Sequence, residues 1–268
     1  MQTIFTILIA LFVFAFGTVI FSFVNVLIYR IQKGESFVKG RSHCVSCGHT
    51  LSGFDLVPLF SFVFLRGKCR YCGGKLSARY FFVELLGGLL ALLCAYVFRK
   101  TDIFPFFFSI EGVVAFTAFS ILTAIAFIDY DTMEIPNGLI IALIVPAIAA
   151  FFIFKDNIGF FDSLLNHGIG FFCISLPMLL LTLLINGAFG GGDIKLMAVA
   201  GFMLGWKLAI IAMFFGLLIG GVQGIFYMIK NQKGFKEHFA FAPALCIGIA
   251  LSMLFGEIIL NWYLTFFV

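Results

Sequence analysis

Apolar residues gather in eight runs, at roughly 3–29, 80–98, 108–128, 138–154, 166–186, 194–205, 208–229 and 240–267, with short polar stretches between them. A helix needs about 20 apolar residues to cross the hydrocarbon core of a bilayer, so runs of this length predict transmembrane helices. The sixth run is the shortest, which leaves open a count of seven with one broken helix. The expected fold class is an all-α polytopic membrane protein of about eight transmembrane helices. One interruption stands apart: residues 30–79 are polar and carry four of the seven cysteines. A segment of that size is too short to bury a core without a staple. The domain reading is therefore a first transmembrane helix at 1–29, a cysteine-rich lobe at 30–79 and a transmembrane core at 80–268.

Composition excludes a soluble domain on an anchor, since 62% of residues are hydrophobic, only 11% are charged, and mean hydropathy is +1.14. The 39 phenylalanines read as lipid-facing bulk. A net charge of +4 is small, and its distribution says more than its size. Nine of 17 Lys and Arg fall between Arg30 and Arg79, three more are Lys230, Lys233 and Lys236, and Lys195 stands alone. No charge occurs in the first 29 residues, so the basic start of a signal peptide is absent and the run 3–29 is expected as a retained helix. Basic loops stay in the cytoplasm, which puts the N-terminus outside and the lobe inside. Alternating from there places 30–79, 129–137, 187–193 and 230–239 inside, which with Lys195 just beyond the third makes 13 Lys and Arg, against four outside: Arg99, Lys100, Lys155 and Lys207. Helix count and charge count are separate observations, and they agree. The expected partner surface is a lipid bilayer, and no nucleic acid.

In the lobe, Cys44-Val45-Ser46-Cys47 and Cys69-Arg70-Tyr71-Cys72 form two C-x2-C pairs separated by 21 residues. That spacing is close to four-thiolate zinc sites, and a reducing cytoplasm favours metal over disulfide. Gly48, Gly73 and Gly74 sit where a knuckle turn brings backbone amides to the sulfurs. Four thiolates leave no open coordination position, so zinc on Cys44, Cys47, Cys69 and Cys72 is structural and not hydrolytic. The competing reading is two redox-active dithiol pairs. Cys94, Cys173 and Cys246 read as packing residues inside spans, and His43, His49, His167 and His238 as loop residues without a helical metal motif.

Ionisable groups at membrane depth are costly and read as functional. Asp129 and Asp193 lie at the edges of long apolar runs, 64 residues apart. Asp129 ends the third run, and Pro136 restarts the chain into the fourth, as suits the first turn of a helix. Asp193 opens the sixth run behind Gly190, Gly191 and Gly192, which permit close backbone approach. If these two helices pack together, the carboxylates meet, share a proton, and act as base toward a water and acid toward a carbonyl. Asp131 and Glu134 compete for the first role. Two helical positions turn a side chain by roughly 200°, so Asp129 and Asp131 do not face one partner if the helix runs through both. The bland alternative is a polar cap at 129–131 and a flexible glycine turn at 190–192.

At this point the residues resemble the type IV prepilin leader peptidases, membrane aspartic proteases of the GxGD type that in many members also carry N-methyltransferase activity. Gly17, Ser22-Phe23-Val24-Asn25-Val26 and Arg30 are similar to the family's opening G…SFxNVxxxR, and the two C-x2-C pairs follow. Leu56 to Ser61 with Arg66-Gly67-Lys68-Cys69-Arg70, and Ser77 to Glu84, resemble its next two stretches. The later motifs are D-x6-P at Asp129 and Pro136, and G-x-G-D-x-K at Gly190, Gly192, Asp193 and Lys195. Gln32 and Asn137 depart from the family's usual proline and aspartate.

The resemblance implies catalytic aspartates at Asp129 and Asp193, with Gly190, Gly192, Lys195 and Pro136 supporting them. It implies substrates that are type IV prepilins or pseudopilins, cleaved behind a short basic leader at the cytoplasmic face of the bacterial inner membrane. Methylation of the new N-terminus from S-adenosylmethionine is implied by resemblance only, because no Gly-rich cofactor fingerprint is present. Asn25, Arg30, Arg79 and Glu84, at the ends of the first two spans, are candidates for a cofactor pocket, or interfacial hydrogen bonds and snorkelling charges. Peptidase without methyltransferase, an ion- or proton-coupled transporter using the two aspartates, and a scaffold with a docking lobe remain as alternatives.

Overall fold

The computed structural model describes residues 2–36, 38–99, 106, 108–153, 160–185, 187–231 and 240–266. Nine helices form among them: α1 (Gln2–Gln32), α2 (Phe60–Phe64), α3 (Ala78–Val97), α4 (Ile110–Thr132), α5 (Asn137–Ile153), α6 (Phe160–Leu184), α7 (Gly191–Leu204), α8 (Trp206–Asn231) and α9 (Ala242–Leu264). Eight are long, one for each apolar run, and the short α2 lies in the lobe beside a 3₁₀ turn at Gly53–Leu56. No strand occurs among the described residues beyond two isolated bridges in the lobe. The all-α expectation holds. Of the residues used in the charge count, Lys100, Lys155, Lys233 and Lys236 lie outside the described residues, as does His238.

Six of the long helices are long and apolar enough to cross a membrane: α1, α3, α4, α6, α8 and α9. The two others are short for physical reasons that differ. Helix α5 has 17 residues and only just misses the length. Helix α7 has 14 residues, about 21 Å of rise against a hydrocarbon core of about 30 Å. It contacts α5, α6, α8 and α9, and nine of its 14 residues are buried. An apolar helix with no polar face belongs inside a bundle, and that is where the shortest run went.

The chain divides into two compact units, Met1–Phe116 and Thr117–Val268. In the first, α1 and α3 pack side by side along small residues. A methyl group added at Gly17 would strike the Gly87 carbonyl and Ala91, and one at Gly87 would strike Phe21. Outer residues of α1 such as Leu8, Phe12 and Phe23 remain exposed, as lipid-facing side chains are. In the second unit, α6 and α7 touch backbone to backbone at Gly170 and Gly201, and α8 and α9 close at Gly216 and Gly248. Without water to drive apolar association in a bilayer, this close contact supplies the dispersion energy.

Candidate active site and metal centre

The lobe builds the same turn twice. Cys44 N–H donates to the His49 carbonyl at 2.9 Å and Gly48 N–H returns to the Cys44 carbonyl at 2.8 Å; Cys69 with Gly74, and Gly73 with Cys69, repeat the pattern at 2.8 and 2.9 Å. Gly48 and Gly73 both sit at φ +70°, the left-handed conformation that side chains resist. The turns bring the sulfurs of Cys44, Cys47, Cys69 and Cys72 within 4.8 Å of one another. Cys44 Sγ and Cys72 Sγ are 4.0 Å apart, close to the roughly 3.8 Å that tetrahedral Zn–S bonds of about 2.3 Å require.

Charge completes the fit. Hydrogen bonding from the Cys47 backbone lowers the Cys44 thiol to about 6 against the opposing effect of burial, so a thiolate forms readily. At Cys72 the Gly74 N–H favours the thiolate, but the contacts with Cys47, Cys69 and Cys44 together with burial prevail and push the thiol up to about 11. Crowded sulfurs that cannot all ionise alone are what a divalent cation relieves. Asp55 locks the lobe: its carboxylate accepts from Ser52 N–H and Oγ, Arg70 Nε at 2.7 Å and Tyr71 OH at 3.1 Å. Ser52 first, then Arg70 and Tyr71, outweigh burial and hold its carboxyl at about 2.

The polar residues of α1 and α3 are mostly committed. Buried Arg30 donates to four carbonyls, those of Ser36, Lys39, Gly40 and Arg41, at 3.0–3.2 Å, and so ties the end of α1 to the lobe. Asn25 Nδ2 donates to the Tyr80 carbonyl at 3.1 Å. Arg79 N–H donates to Ser77 Oγ, the N-cap of α3. Glu84 accepts from Leu59 N–H at 2.9 Å and bonds Ser22.

In the second unit, Asp129 stands in the last turn of α4 and Asp193 in the first turn of α7. Both are buried, 5% and 8% exposed, whereas Asp131 and Glu134 are exposed. Because α4 continues to Thr132, Asp131 is turned well away from Asp129. The two buried carboxylates lie near enough for their charges to interact. Each is held from behind by a backbone amide. Ala242 N–H, at the start of α9, donates to Asp129 Oδ2 at 3.1 Å. Gly190 N–H, at the N-cap of α7, bonds Asp193 in the manner of a capping box. Asp193 Oδ1 is buried with no hydrogen-bond partner among the described residues.

The motif residues around the pair have separate tasks. A methyl group added at Gly192 would come 2.8 Å from Ile135 Cβ, so only glycine lets the start of α7 approach the α4–α5 turn. Pro136 caps α5, its carbonyl accepting from Leu139 and Ile140 N–H, one residue ahead of the position expected from its usual place in the first turn. Lys195 Nζ donates to Asn137 Oδ1 at 2.9 Å, which ties α7 to α5. Three neighbours were not visible as such in the sequence: Ala242, Ile135, and Cys246, which is buried within electrostatic reach of both aspartates. Pro243, a helix-start residue, is the one local signal that an amide terminus lies nearby.

Comparison with known proteins follows the same division. The description "Bacterial Peptidase A24 N-terminal domain" matches residues 15–98, and "Type IV leader peptidase family" matches residues 116–225. The chain is similar to proteins named prepilin leader peptidase/N-methyltransferase. The Bacillus subtilis (strain 168) protein is 33% identical over 251 residues, covering 94% of this chain and 96% of the relative. The Myxococcus xanthus (strain DK1622) protein is 34% identical over 229 residues, 84% of this chain and 65% of the relative. The Aeromonas hydrophila protein is 28% identical over 282 residues, 96% of this chain and 94% of the relative. No solved structure matches. With the first of these relatives covered nearly end to end, the chain belongs to the type IV leader peptidase family.

Proposed function

We propose that this chain is a membrane-embedded aspartic endopeptidase that removes the short basic leader from type IV prepilins or pseudopilins, and then methylates the new N-terminus. The observation that carries the reading is the pair of buried carboxylates, Asp129 and Asp193, each backed by a backbone N–H and near enough to interact. Such a pair holds one proton between its members and titrates as a unit. One carboxylate takes a proton from an attacking water while the other donates one to the scissile carbonyl oxygen. Collapse of the tetrahedral carbon expels the amine, which takes up the proton the base had accepted. Asp193 Oδ1, buried and without a hydrogen-bond partner among the described residues, is the atom left for the water or the carbonyl.

The supporting residues fix this geometry. Gly192 allows the approach of α7, and Lys195 with Asn137 and Pro136 sets the start of α5 against it. Zinc on Cys44, Cys47, Cys69 and Cys72 holds the lobe and takes no part in hydrolysis, because four thiolates fill its coordination. S-adenosylmethionine supplies the methyl group for the second activity, which rests on the naming of the relatives. The protein sits in the bacterial inner membrane with its N-terminus outside and the lobe and carboxylate pair at the cytoplasmic face, as the basic block 30–79 favours.

The test is direct. The purified protein is incubated with a prepilin, with and without methyl donor, and the products are weighed. Loss of the leader, and addition of one methyl group only when donor is present, are the expected results. Continued processing by Asp193→Asn protein removes the assignment of the pair.

A further inference from the structure

The lobe carries an apolar surface that neither the cysteine cluster nor the carboxylate pair uses. Helix α2 has five residues, and three of them, Phe60, Val63 and Phe64, are 63, 61 and 80% exposed. Positions i, i+3 and i+4 share one side of a helix, and the Phe60 and Phe64 rings stack with centroids 6.4 Å apart. Leu56 and Val57, which lead into α2, are exposed as well. Large apolar side chains gathered on one exposed face mark a contact with something other than water.

The face is held outward by its surroundings. Phe62, on the other side of α2, is half-buried, and its ring lies 5.5 Å from that of Phe81 in the first turn of α3. Glu84 of α3 accepts from Leu59 N–H at 2.9 Å and so fixes the start of α2. Gly67 N–H closes its end on the Phe62 carbonyl, and the Gly67 carbonyl accepts from Leu76 N–H, both at 2.8 Å. Leu59 and Arg66, on either side of α2, sit at φ 61° and 50°. Such conformations cost a residue with a side chain free energy and persist where the surrounding structure imposes them.

Continuity and charge identify what covers it. Phe81 packs against Phe82, and Phe82, Leu86 and Leu89 form an exposed stripe along α3, a helix long and apolar enough to span a bilayer. The aromatic chain from Phe62 through Phe81 to Phe82 therefore joins α2 to a lipid-facing surface. The junction lies where α3 begins, beside Arg79 and Tyr80, residue types that gather at the membrane interface. Arg66 and Lys68 follow α2 directly, and both are exposed. An apolar face edged by Arg and Lys at the end of a span is the make-up of a segment that lies in the headgroup region of a bilayer containing anionic lipid.

We propose that α2 is an interfacial foot: Phe60, Val63 and Phe64 enter the acyl-chain boundary of the adjoining leaflet, Arg66 and Lys68 bind its anionic headgroups, and the lobe is pinned to the membrane surface. The attachment is the same whichever side of the bilayer the lobe occupies, and it is independent of the peptidase reading.

A tryptophan reporter tests it. The chain has two tryptophans, Trp206 and Trp262, so Trp206→Phe with Trp262→Phe clears the background and Phe64→Trp reports alone. The full-length protein is placed in vesicles of phosphatidylcholine and phosphatidylglycerol, either with lipids brominated near the headgroup end of their acyl chains or with acrylamide in the water. The expected emission is blue-shifted, strongly quenched by the brominated lipid and little affected by acrylamide. Adding Arg66→Gln and Lys68→Gln raises the ratio of undocked to docked lobe, read as acrylamide access, by about fivefold for each charge removed. Omitting phosphatidylglycerol acts in the same direction. Emission open to acrylamide and untouched by brominated lipid overturns the proposal. Emission shielded from both assigns the face to a protein contact, such as a second copy of this chain, and equally overturns it. Lipid quenching that is indifferent to the two charge substitutions and to the loss of phosphatidylglycerol overturns the headgroup contact. Should the Phe64→Trp protein fail to fold, Val63→Trp on the same face carries the same outcomes.

Discussion

The cysteine lobe and the carboxylate pair are opposite ways of assembling a site. The lobe gathers four sulfurs from 29 residues of chain, Cys44 to Cys72, by two copies of one hydrogen-bonded turn. The pair draws on two carboxylates 64 residues apart, at the end of α4 and the start of α7, near enough for their charges to interact. The first is set by turns of a few residues, and the second by how distant helix ends come together. With zinc on its four cysteines as proposed, the lobe should fail when the metal is removed, and the pair when packing is disturbed.

The largest effect belongs to the pair. Asp129→Asn and Asp193→Asn each lower leader cleavage by about 10²- to 10⁴-fold, the range of general acid–base catalysis, with zinc content unchanged. Exposed Asp131→Asn stays near the unaltered rate. Equal losses at Asp129 and Asp131, read by mass spectrometry of a prepilin peptide, would break the contrast between buried and exposed acids.

Replacing any one of Cys44, Cys47, Cys69 or Cys72 by Ser removes about one bound zinc per chain, measured by atomic absorption, and melts the lobe. The lobe variants lose far less cleavage than the aspartate variants if the metal is structural. Loss of cleavage as deep as that of Asp193→Asn, restored by zinc, would move the metal into the reaction.

Gly192→Ala drives a methyl group against Ile135 and displaces the start of α7. A misplacement near 1 Å costs about 10²-fold in rate, so cleavage falls while helicity by circular dichroism is retained. Unaltered cleavage would show that the close approach of α7 is unnecessary.

The smallest effect is at Asn137. Asn137→Asp turns its hydrogen bond with Lys195 into an ion pair at an exposed helix start. Thermal unfolding in detergent rises by no more than about 1 kcal/mol of stability, and the gain fades in high salt. A large shift would mean that this link, and not the packing of α7, sets the site.

Much of this was legible in the chain. The eight apolar runs became eight long helices, because a stretch of unbroken apolar residues has no other way to satisfy its backbone in lipid. The cysteine spacing located the cluster, since its geometry is set by turns of a few residues. Less legible was the difference between Arg30 and Glu84, both polar groups at span ends: one is consumed by four carbonyls, and the other lines a cavity and bonds Leu59 N–H and Ser22. Nothing local separates them, because the partners of each are set by how the lobe folds back.

What the chain alone determined were its spans, its repeated cysteine turn, and the two acids too costly to bury without purpose. Tertiary structure decided that α7 is largely buried among its neighbours, that Asp129 and not Asp131 is the buried acid within electrostatic reach of Asp193, and that the Ala242 amide backs Asp129. Periodicity and spacing record only neighbours along the chain, and a carboxylate's partners come from whichever helix ends the packing brings beside it.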